Sequence, residues 1–494
     1  MGLRLAADDD ATPVPDPGAR AHSIAVFPFT PSPGDPQNAS FGIGLADSIV
    51  NHLSGLPALT VRPLSAVMKV TAGESDPQKA GRLLGVDTIL VGTFAQRKDR
   101  FEVGVKLVDT AGGEVITNRT IESRMDDLVE MERMVVSDTL RLLAPRQDVT
   151  EQATPPDRRA PDSTAHYLYL LALGKLAMFQ GASVPDAVEL LEQSIKIDPE
   201  YAPAHAALAV ACSAMWYLEM SSDYSWNERA IASARRAIYL DERSASAHHA
   251  LANALLGAGE PVEAARETLL ALKLDPNHPR ALRTLATLLT GAGLPEQVKR
   301  LRAQIAAIDP EMDLEWLDIY VGFKDGKPQK TIAGFEAEVA RRLAADEPIG
   351  SQVMRLGYMS FMTGNSADAL RWAATMESVS PSKQFADMIR MLALARTGDA
   401  AAVRSILERI RAAYLDDWEA CAWIGMALTL VHEDEEAIAW IQRSADLGSY
   451  DLELLDNARD LDPLRTDPRF SASLSLVRGR AREIVQLAAF AGYR

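Results

Sequence analysis

The spacing of apolar positions changes character near residue 163. Before that point, short apolar runs alternate with helical spacing. SIAVFPF (23–29) is a continuous apolar run of strand length. In FGIGLADSIVNHLSGL (41–56), Ile43, Leu45, Ile49, Val50, Leu53 and Leu56 recur at helical spacing. LTVRPL (59–64) predicts another strand. DPQKAGRLLG (76–85) predicts a short helix, with Asp76 as N-cap, Pro77 at the first helical position and Gly85 at the stop. DTILVGTFAQR (87–97), FEVGVKLVDT (101–110) and EVITNRTIE (114–122) alternate as strands of a meander, with turns at Lys98-Asp99-Arg100 and Gly112-Gly113. A helix over about 126–144 places Leu128, Met131, Val135, Leu140 and Leu143 on one side. This pattern predicts an α/β sandwich with a mixed sheet.

Beyond residue 163 the spacing is helical throughout, and it repeats. IKIDPE, IYLDER, LKLDPN and AAIDPE each end a helix, and their aspartates (Asp198, Asp241, Asp275, Asp309) are 43, 34 and 34 residues apart. The nine extra residues of the first interval fall near Met215–Trp226. From Pro310 to Pro381 is 71 residues, twice 34 plus three. With that proline at position 32 of each unit, small residues recur at positions 8 and 20: Ala252 and Ala264, Gly357 and Ala369, Gly425 and Ala437. Small side chains there let two antiparallel helices approach closely. One such hairpin cannot bury its own apolar face, so several must stack. Thirty-four residues is the tetratricopeptide (TPR) period, and the segments are identified as repeats of that type. About eight units are expected, near 167, 202, 245, 279, 313, 350, 384 and 418, with poor matches near 313 and 384. FKDGKPQK in the unit near 313 predicts an irregular turn.

The predicted fold class is therefore a small α/β domain with a mixed sheet followed by an all-α TPR solenoid, a superhelix of helical hairpins. The expected boundaries are a flexible leader over 1–22, the α/β domain over 23–145, a linker over 146–163, the solenoid over 164–451 and a C-terminal cap over 452–494. Leader and linker are set apart by their Asp, Pro and Ala content.

Net charge is −17, which opposes broad binding to a phosphate backbone, so no direct nucleic-acid contact is expected. Cys212 and Cys421 stand alone and far apart, which excludes a disulfide framework and a CxxC metal site. No apolar run approaches the roughly 20 residues needed to cross a bilayer. MGLRLAADDD has no apolar signal core, so a cytoplasmic location away from membranes is expected.

SIAVFPF, the Gly34-Asp35-Pro36 loop, FGIGLADSIVNHLSGLPALTV, GRLLGVDTILVGTF and VKLVDTAGGEV together resemble the bacterial TolB amino-terminal-like domain. In bacteria that domain often precedes TPRs. The pair commonly follows an effector: a winged-helix DNA-binding domain, a class III nucleotide cyclase or a protein kinase. The resemblance implies a regulatory or sensory role. Residues 1–22 are too short for such an effector, which is then expected upstream or on another polypeptide.

Catalytic motifs are missing. Gly42 and Gly44 form a lone GxG without a third glycine in phase, and predict a turn leading into a helix. His248 and His249 point about 100° apart on a helix and cannot chelate together. His205 and His248 occupy the same repeat position and predict core packing. His432-Glu433-Asp434-Glu435-Glu436 predicts a solvated acidic turn. No catalytic, cofactor-binding or metal-binding residue is expected, and the chain is not expected to be an enzyme. Candidates for partner binding lie where first helices face the groove: His249, Asn253, Arg280, Arg283 and Thr287. Arg280 and Arg283 share one helix face and could clamp a carboxylate. Trp216, Tyr217, Tyr224 and Trp226 lie in the nine-residue excess, where they either pack locally or anchor a partner. The expected function is a protein-binding or peptide-binding regulatory scaffold. The alternative is a ligand-sensing module of a transcription or cyclase system. Oligomeric state is left open, a homodimer included.

Overall fold

The computed structural model describes residues 22–32, 39–54, 59–97, 100–143, 160–178, 183–217, 225–345, 349–379 and 384–493. Most of the expected leader and linker, the Gly34-Asp35-Pro36 loop and Tyr224 lie outside these residues. The N-terminal part is a mixed sheet of β1 (His22–Val26), β2 (Thr30–Pro31), β3 (Leu59–Arg62), β4 (Thr88–Arg97), β5 (Arg100–Asp109) and β6 (Val115–Arg124). Strand order is β3-β1-β4-β5-β6, with β2 also beside β4. β1 runs parallel to both neighbours, β3 and β4. A central parallel strand is covered on both faces, so Ile24, Ala25 and Val26 are all fully buried and the strand is an unbroken apolar run. The antiparallel strand β5 alternates instead: Phe101, Val103, Val105 and Leu107 point inward, while Arg100, Glu102 and Lys106 are exposed. Helices α1 (Ala39–Leu53), α2 (Leu64–Gly73), α3 (Pro77–Leu83) and α4 (Leu128–Leu143) complete this domain. Asp76 caps α3 by accepting the Gln78 and Lys79 amides.

Eight antiparallel helix pairs follow among the described residues. They are α5 (Ser163–Met178) with α6 (Ser183–Ile197), α7 (Ala202–Tyr217) with α8 (Ser225–Leu240), and α9 (Ala245–Gly257) with α10 (Pro261–Leu274). Next come α11 (Pro279–Gly291) with α12 (Pro295–Ile308), α13 (Glu315–Lys324) with α14 (Pro328–Ala344), and α15 (Gly350–Met362) with α16 (Ser366–Val379). The last two are α17 (Gln384–Arg396) with α18 (Ala400–Ile410) and α19 (Trp418–Leu430) with α20 (Asp434–Asp446). The short α21 (Leu452–Leu455) and long α22 (Pro468–Phe490) close the chain. No described helix is long and apolar enough to cross a membrane.

The small-residue positions act as close-approach points. A Cβ on Gly357 would lie 2.8 Å from the Ile389 side chain, and one on Gly425 would lie 2.6 Å from Ile441. Ala252, Ala264, Ala369 and Ala437 are fully buried. The turns inside the last six pairs share a left-handed residue: Gly259, Gly293, Gly326, Gly364, Gly398 and, in the last pair, His432 at φ 64°. FKDGKPQK is thus a regular turn around Gly326, and the poor match of that unit comes from α13, which is only ten residues long. The acidic run is also more than a solvated turn. Asp434, Glu435 and Glu436 form the first turn of α20, where the helix dipole favours them, and they or Glu433 pair with Arg404, Arg411 and Arg469.

The sheet domain and the first two pairs share one core, in which Phe41 and Leu45 join Leu170 and Leu191. Gly42 and Gly44 lie inside α1 and do not form a turn leading into it. A Cβ on Gly44 would sit 1.7 Å from the Leu170 carbonyl oxygen, and one on Gly174 would sit 1.9 Å from that of Ser40. Gly44 is therefore where α1 crosses α5 backbone to backbone, while Gly42 lies against the Phe29 carbonyl. Beside the crossing, buried Glu132 of α4 accepts hydrogen bonds from Ser48 Oγ (2.5 Å) and pairs with His166 Nε2 of α5 (2.7 Å) and His52 Nδ1 (3.1 Å). His166 Nδ1 lies 2.7 Å from the Tyr201 hydroxyl, just before α7. Burial alone would raise the Glu132 carboxyl, but the charge and hydrogen bond of His166, with those of His52, outweigh it and hold it far below the usual carboxylate range. Burial likewise pulls His52 down, yet the Glu132 hydrogen bond and charge win and drive it to about 8.

Farther along, the stack curls back on itself. A Cβ on Gly448 would lie 1.8 Å from the Gly259 carbonyl oxygen, Tyr450 lies against Gly291, and Arg266 pairs with Glu483 of α22 at 2.6 Å.

Two stability tests follow from these contacts. His432→Gly is expected to gain about 0.5–1 kcal/mol in urea unfolding by relieving the left-handed strain; unchanged stability would show that the turn carries no strain. Glu132→Gln leaves buried partners unpaired and is expected to cost about 3–5 kcal/mol. Because His52 stands above its ordinary value, it stabilises fully below about pH 6.5, and that share is lost as pH rises through about 8. Glu132→Gln should abolish this alkaline decline; a decline that persists would mean another group causes it.

Candidate functional site

Anchored on the first pair, the sheet domain roofs the concave face of the solenoid, chiefly over the first four pairs, with Trp316, Arg355 and Glu419 of later pairs also lining the space. The space beneath it is about 3340 Å³. Pockets for small molecules are typically about 300–1,000 Å³. The roof is made by α1, β3, α2 and α4, which contribute Asp47, Asn51, His52, Met68 and Arg133. The floor is made by first helices of successive pairs, with Val210 of α7, His249 of α9 and Arg283 of α11. At the far edge the roof is latched by polar contacts. Arg62 donates to the Ile308 carbonyl (2.8 Å) and also to that of Ala307; Ser65 Oγ donates to Asp309 (3.0 Å), and Lys69 pairs with Glu311.

The four recurring aspartates form one wall of the chamber. Each closes a turn between pairs by accepting the amide two residues on: Glu200 for Asp198 (3.3 Å), Arg243 for Asp241 (3.0 Å), Asn277 for Asp275 (3.0 Å) and Glu311 for Asp309 (3.1 Å). This local bond is why aspartate returns at the repeat period. His205 and His248 brace the same turns through Nε2, bonded to the Pro199 and Glu242 carbonyls at 3.0 Å.

His249, Asn253, Arg280, Arg283 and Thr287 all line this chamber. They are not equivalent. Arg280, Arg283 and Thr287 are exposed to it, whereas His249 is only 7% exposed. The Thr287 hydroxyl donates to the Arg283 carbonyl in its own helix (3.1 Å). The His249 ring lies 5.1 Å from that of His278. Trp226 is half-buried beneath the Arg229 guanidinium, 4.3 Å from its ring centroid, and packs against the shared core. Trp216 and Tyr217 end α7 with side chains outside the described residues, as is Tyr224.

Three groups of the chamber escaped the sequence analysis. Asp47 and Asn51 enter from the roof, which no repeat pattern announces. His278 had a signal: it stands 34 residues after Ser244, and each caps its helix, Ser244 Oγ accepting the Ala247 amide and His278 Nδ1 the Ala281 amide, both at 3.2 Å.

Electrostatics sort these groups further. Burial raises the Asp47 and Asp309 carboxyls, and the Arg280 charge opposes the rise at both, so Arg280 works in the field of roof and wall together. Arg355, nearly buried, pairs with Glu315 and with Asp313 at 3.0 Å. The lining as a whole carries twelve Asp and Glu side chains against six Arg and no Lys, which favours a cation over an anion. Burial, then the charge of Arg280, lowers His278 to about 4; burial, then His278, Arg280 and Arg283, keeps His249 well below its ordinary value. A neutral ring is also what the cap requires, since Nδ1 must accept.

A lowered folded value has a definite sign. The unfolded chain takes up the proton first, so this stabilisation is complete above about pH 6.5 and is lost as pH falls toward about 4. His278→Asn keeps a capping acceptor and is expected to flatten the fall of melting temperature across that window; an unchanged slope would contradict the assignment.

Known proteins resemble parts of this chain. Residues 20–137 match the family model of the HilA/YgeH-like transcriptional regulator, second domain. That stretch overlaps residues 23–145, expected from the sequence to be a TolB amino-terminal-like domain; the family matched there is the regulator's second domain. The putative adenylate cyclase 3 of Rhizobium meliloti (strain 1021) is 26% identical over 235 residues, which are 47% of this chain and 40% of that protein. The chain thus spans about two fifths of that relative's length. Among solved structures, the human IFIT1 dimer with PPP-AAAA aligns with a TM-score of 0.38 at 16% identity, over 65% of this chain and 81% of that one. The TPR domain of P58(IPK) aligns with a TM-score of 0.20 at 16% identity, over 65% and 98%.

Proposed function

We propose that this chain is a non-catalytic regulatory module whose roofed chamber takes up an extended segment of a partner protein. The observation that carries this reading is the convergence of the groove residues of α9 and α11 with Asp47 of the sheet domain on one space several times the size of a small-molecule pocket. The Arg280 and Arg283 forks are placed to hold carbonyls or a carboxylate of that segment, and Asn253 and Thr287 lie beside them. An acidic lining opposes a polyanion, which supports a protein partner over nucleic acid. The family match to a regulator's second domain and the partial likeness to a putative cyclase support a regulatory output carried by an effector outside the residues compared. The same relatives also fit a second reading, in which a small metabolite fills part of the chamber and shifts the roof.

The test begins with affinity purification from the native host, followed by binding of the recovered partner to the wild type and to Arg280→Ala/Arg283→Ala. The double variant is expected to weaken binding about tenfold or more, or about 1.4 kcal/mol. Unchanged affinity would remove these arginines from the binding surface. Recovery of a tightly held metabolite without any protein would favour the second reading.

A further inference from the structure

Successive inter-pair turns set a ladder of carboxylates along the chamber wall, and its rungs differ in occupancy. Asp198 Oδ2 accepts the Asp162 amide at 3.0 Å. Asp309 Oδ2 accepts the Ser65 hydroxyl at 3.0 Å. Asp275 stands between such occupied positions and is itself 8% exposed. Its Oδ1 accepts the Asn277 amide, while its Oδ2 has no hydrogen-bond or ion-pair partner among the described residues. Burial raises its carboxyl, and only the Asn277 amide opposes that; no guanidinium offsets it. A carboxylate nine-tenths buried, lining a large chamber and half satisfied, is costly unless something completes it.

The protein shows what completes such a rung. At the Asp309 turn the sheet domain supplies a hydroxyl from Ser65, a guanidinium from Arg62 on the Ile308 carbonyl (2.8 Å) and an ammonium from Lys69 on Glu311. Three donors within eight residues, two of them cationic, satisfy one turn. The Asp275 turn offers a free carboxylate oxygen and the carbonyls at the end of α10 at the same place in its unit, with Asn277 where the Asp309 turn has Glu311. The acidic balance of the lining and of the whole chain, −17, adds to the preference for a cation.

We infer that the Asp275 turn binds a basic, hydroxyl-bearing stretch of a partner polypeptide, in the way that Arg62 and Ser65 bind the Asp309 turn. This inference rests on the chamber being a peptide site, and it names the chemistry of one part of the ligand: Arg or Lys with Ser or Thr, not an acidic run.

The test uses the full chain and two labelled twelve-residue probes, alternating Arg-Ser and alternating Glu-Ser, read by fluorescence anisotropy. The Arg-Ser probe is expected to bind, and Asp275→Asn to weaken it about tenfold while leaving the melting temperature near that of the wild type, because asparagine still accepts the Asn277 amide. Should Asp275→Asn fold poorly, Ser65→Ala/Lys69→Ala serves instead: it empties the Asp309 rung and is expected to tighten the Arg-Ser probe severalfold. Arg-Ser binding that ignores these changes would overturn the inference. Binding of Glu-Ser alone, lost in Arg280→Ala/Arg283→Ala, would overturn it too while leaving the chamber as a peptide site. If neither probe binds, the inference falls, and the host partner's response to the arginine variant judges the chamber separately. If Arg-Ser depends on Asp275 while the host partner ignores the arginines, the inference stands and the role given to the arginines falls.

Discussion

The chamber depends on one buried carboxylate. Glu132 comes from the sheet domain, His166 from the first helix of the solenoid, and Tyr201 from the turn before the second pair. A charge with so little access to water is tolerable only when every partner is in place, so this contact has one geometry or none. It works beside the crossing of α1 and α5, where Gly44 and Gly174 let two backbones touch and leave no room for sliding. Together they fix the angle at which the sheet domain leaves the solenoid. That angle carries α1 and α2 across the concave face and brings Ser65 to Asp309. Loss of the pivot would release the roof, and the residues gathered beneath it would become an open groove.

The solenoid contributes a periodic wall. An aspartate that closes each inter-pair turn also aims a carboxylate along the concave side, so a purely local requirement of chain reversal produces a line of acidic groups. Asp198 and Asp309 are taken up internally in this way. Their satisfaction by an amide and a hydroxyl shows that the turns are docking points as well as joints. The arginines of α11 line the same space, which makes the chamber polar in two senses and suited to a chain with both donors and acceptors.

Much of this was legible in the residues. The period of the aspartates and the phase of the small residues identified a stack of helical pairs, because both report contacts inside or between adjacent pairs. The unbroken run at β1 and the alternation at β5 likewise report burial on two faces or one. Groove positions on α9 and α11 followed from the repeat register. What could not be seen was long-range. Gly44 looked like part of a turn because its partner, α5, lies more than a hundred residues away. Asp47 reaches the chamber only through the roof. The sequence treated sheet domain and solenoid as two bodies joined by a linker, and nothing in a helical period reveals a domain folded back over its own groove. His432 hid the regularity of its turn because the signal there is a backbone angle, usually marked by glycine.

The central claim is that one roofed chamber binds the partner, with sheet domain and solenoid acting together. Hydrogen exchange of the full chain, with and without the partner recovered from its host, tests it most directly. Protection is expected to appear together in α1 and α2 of the roof and in α9 and α11 of the floor. Protection confined to second helices such as α10 and α12, or to α22, with roof and floor unchanged, would contradict the account.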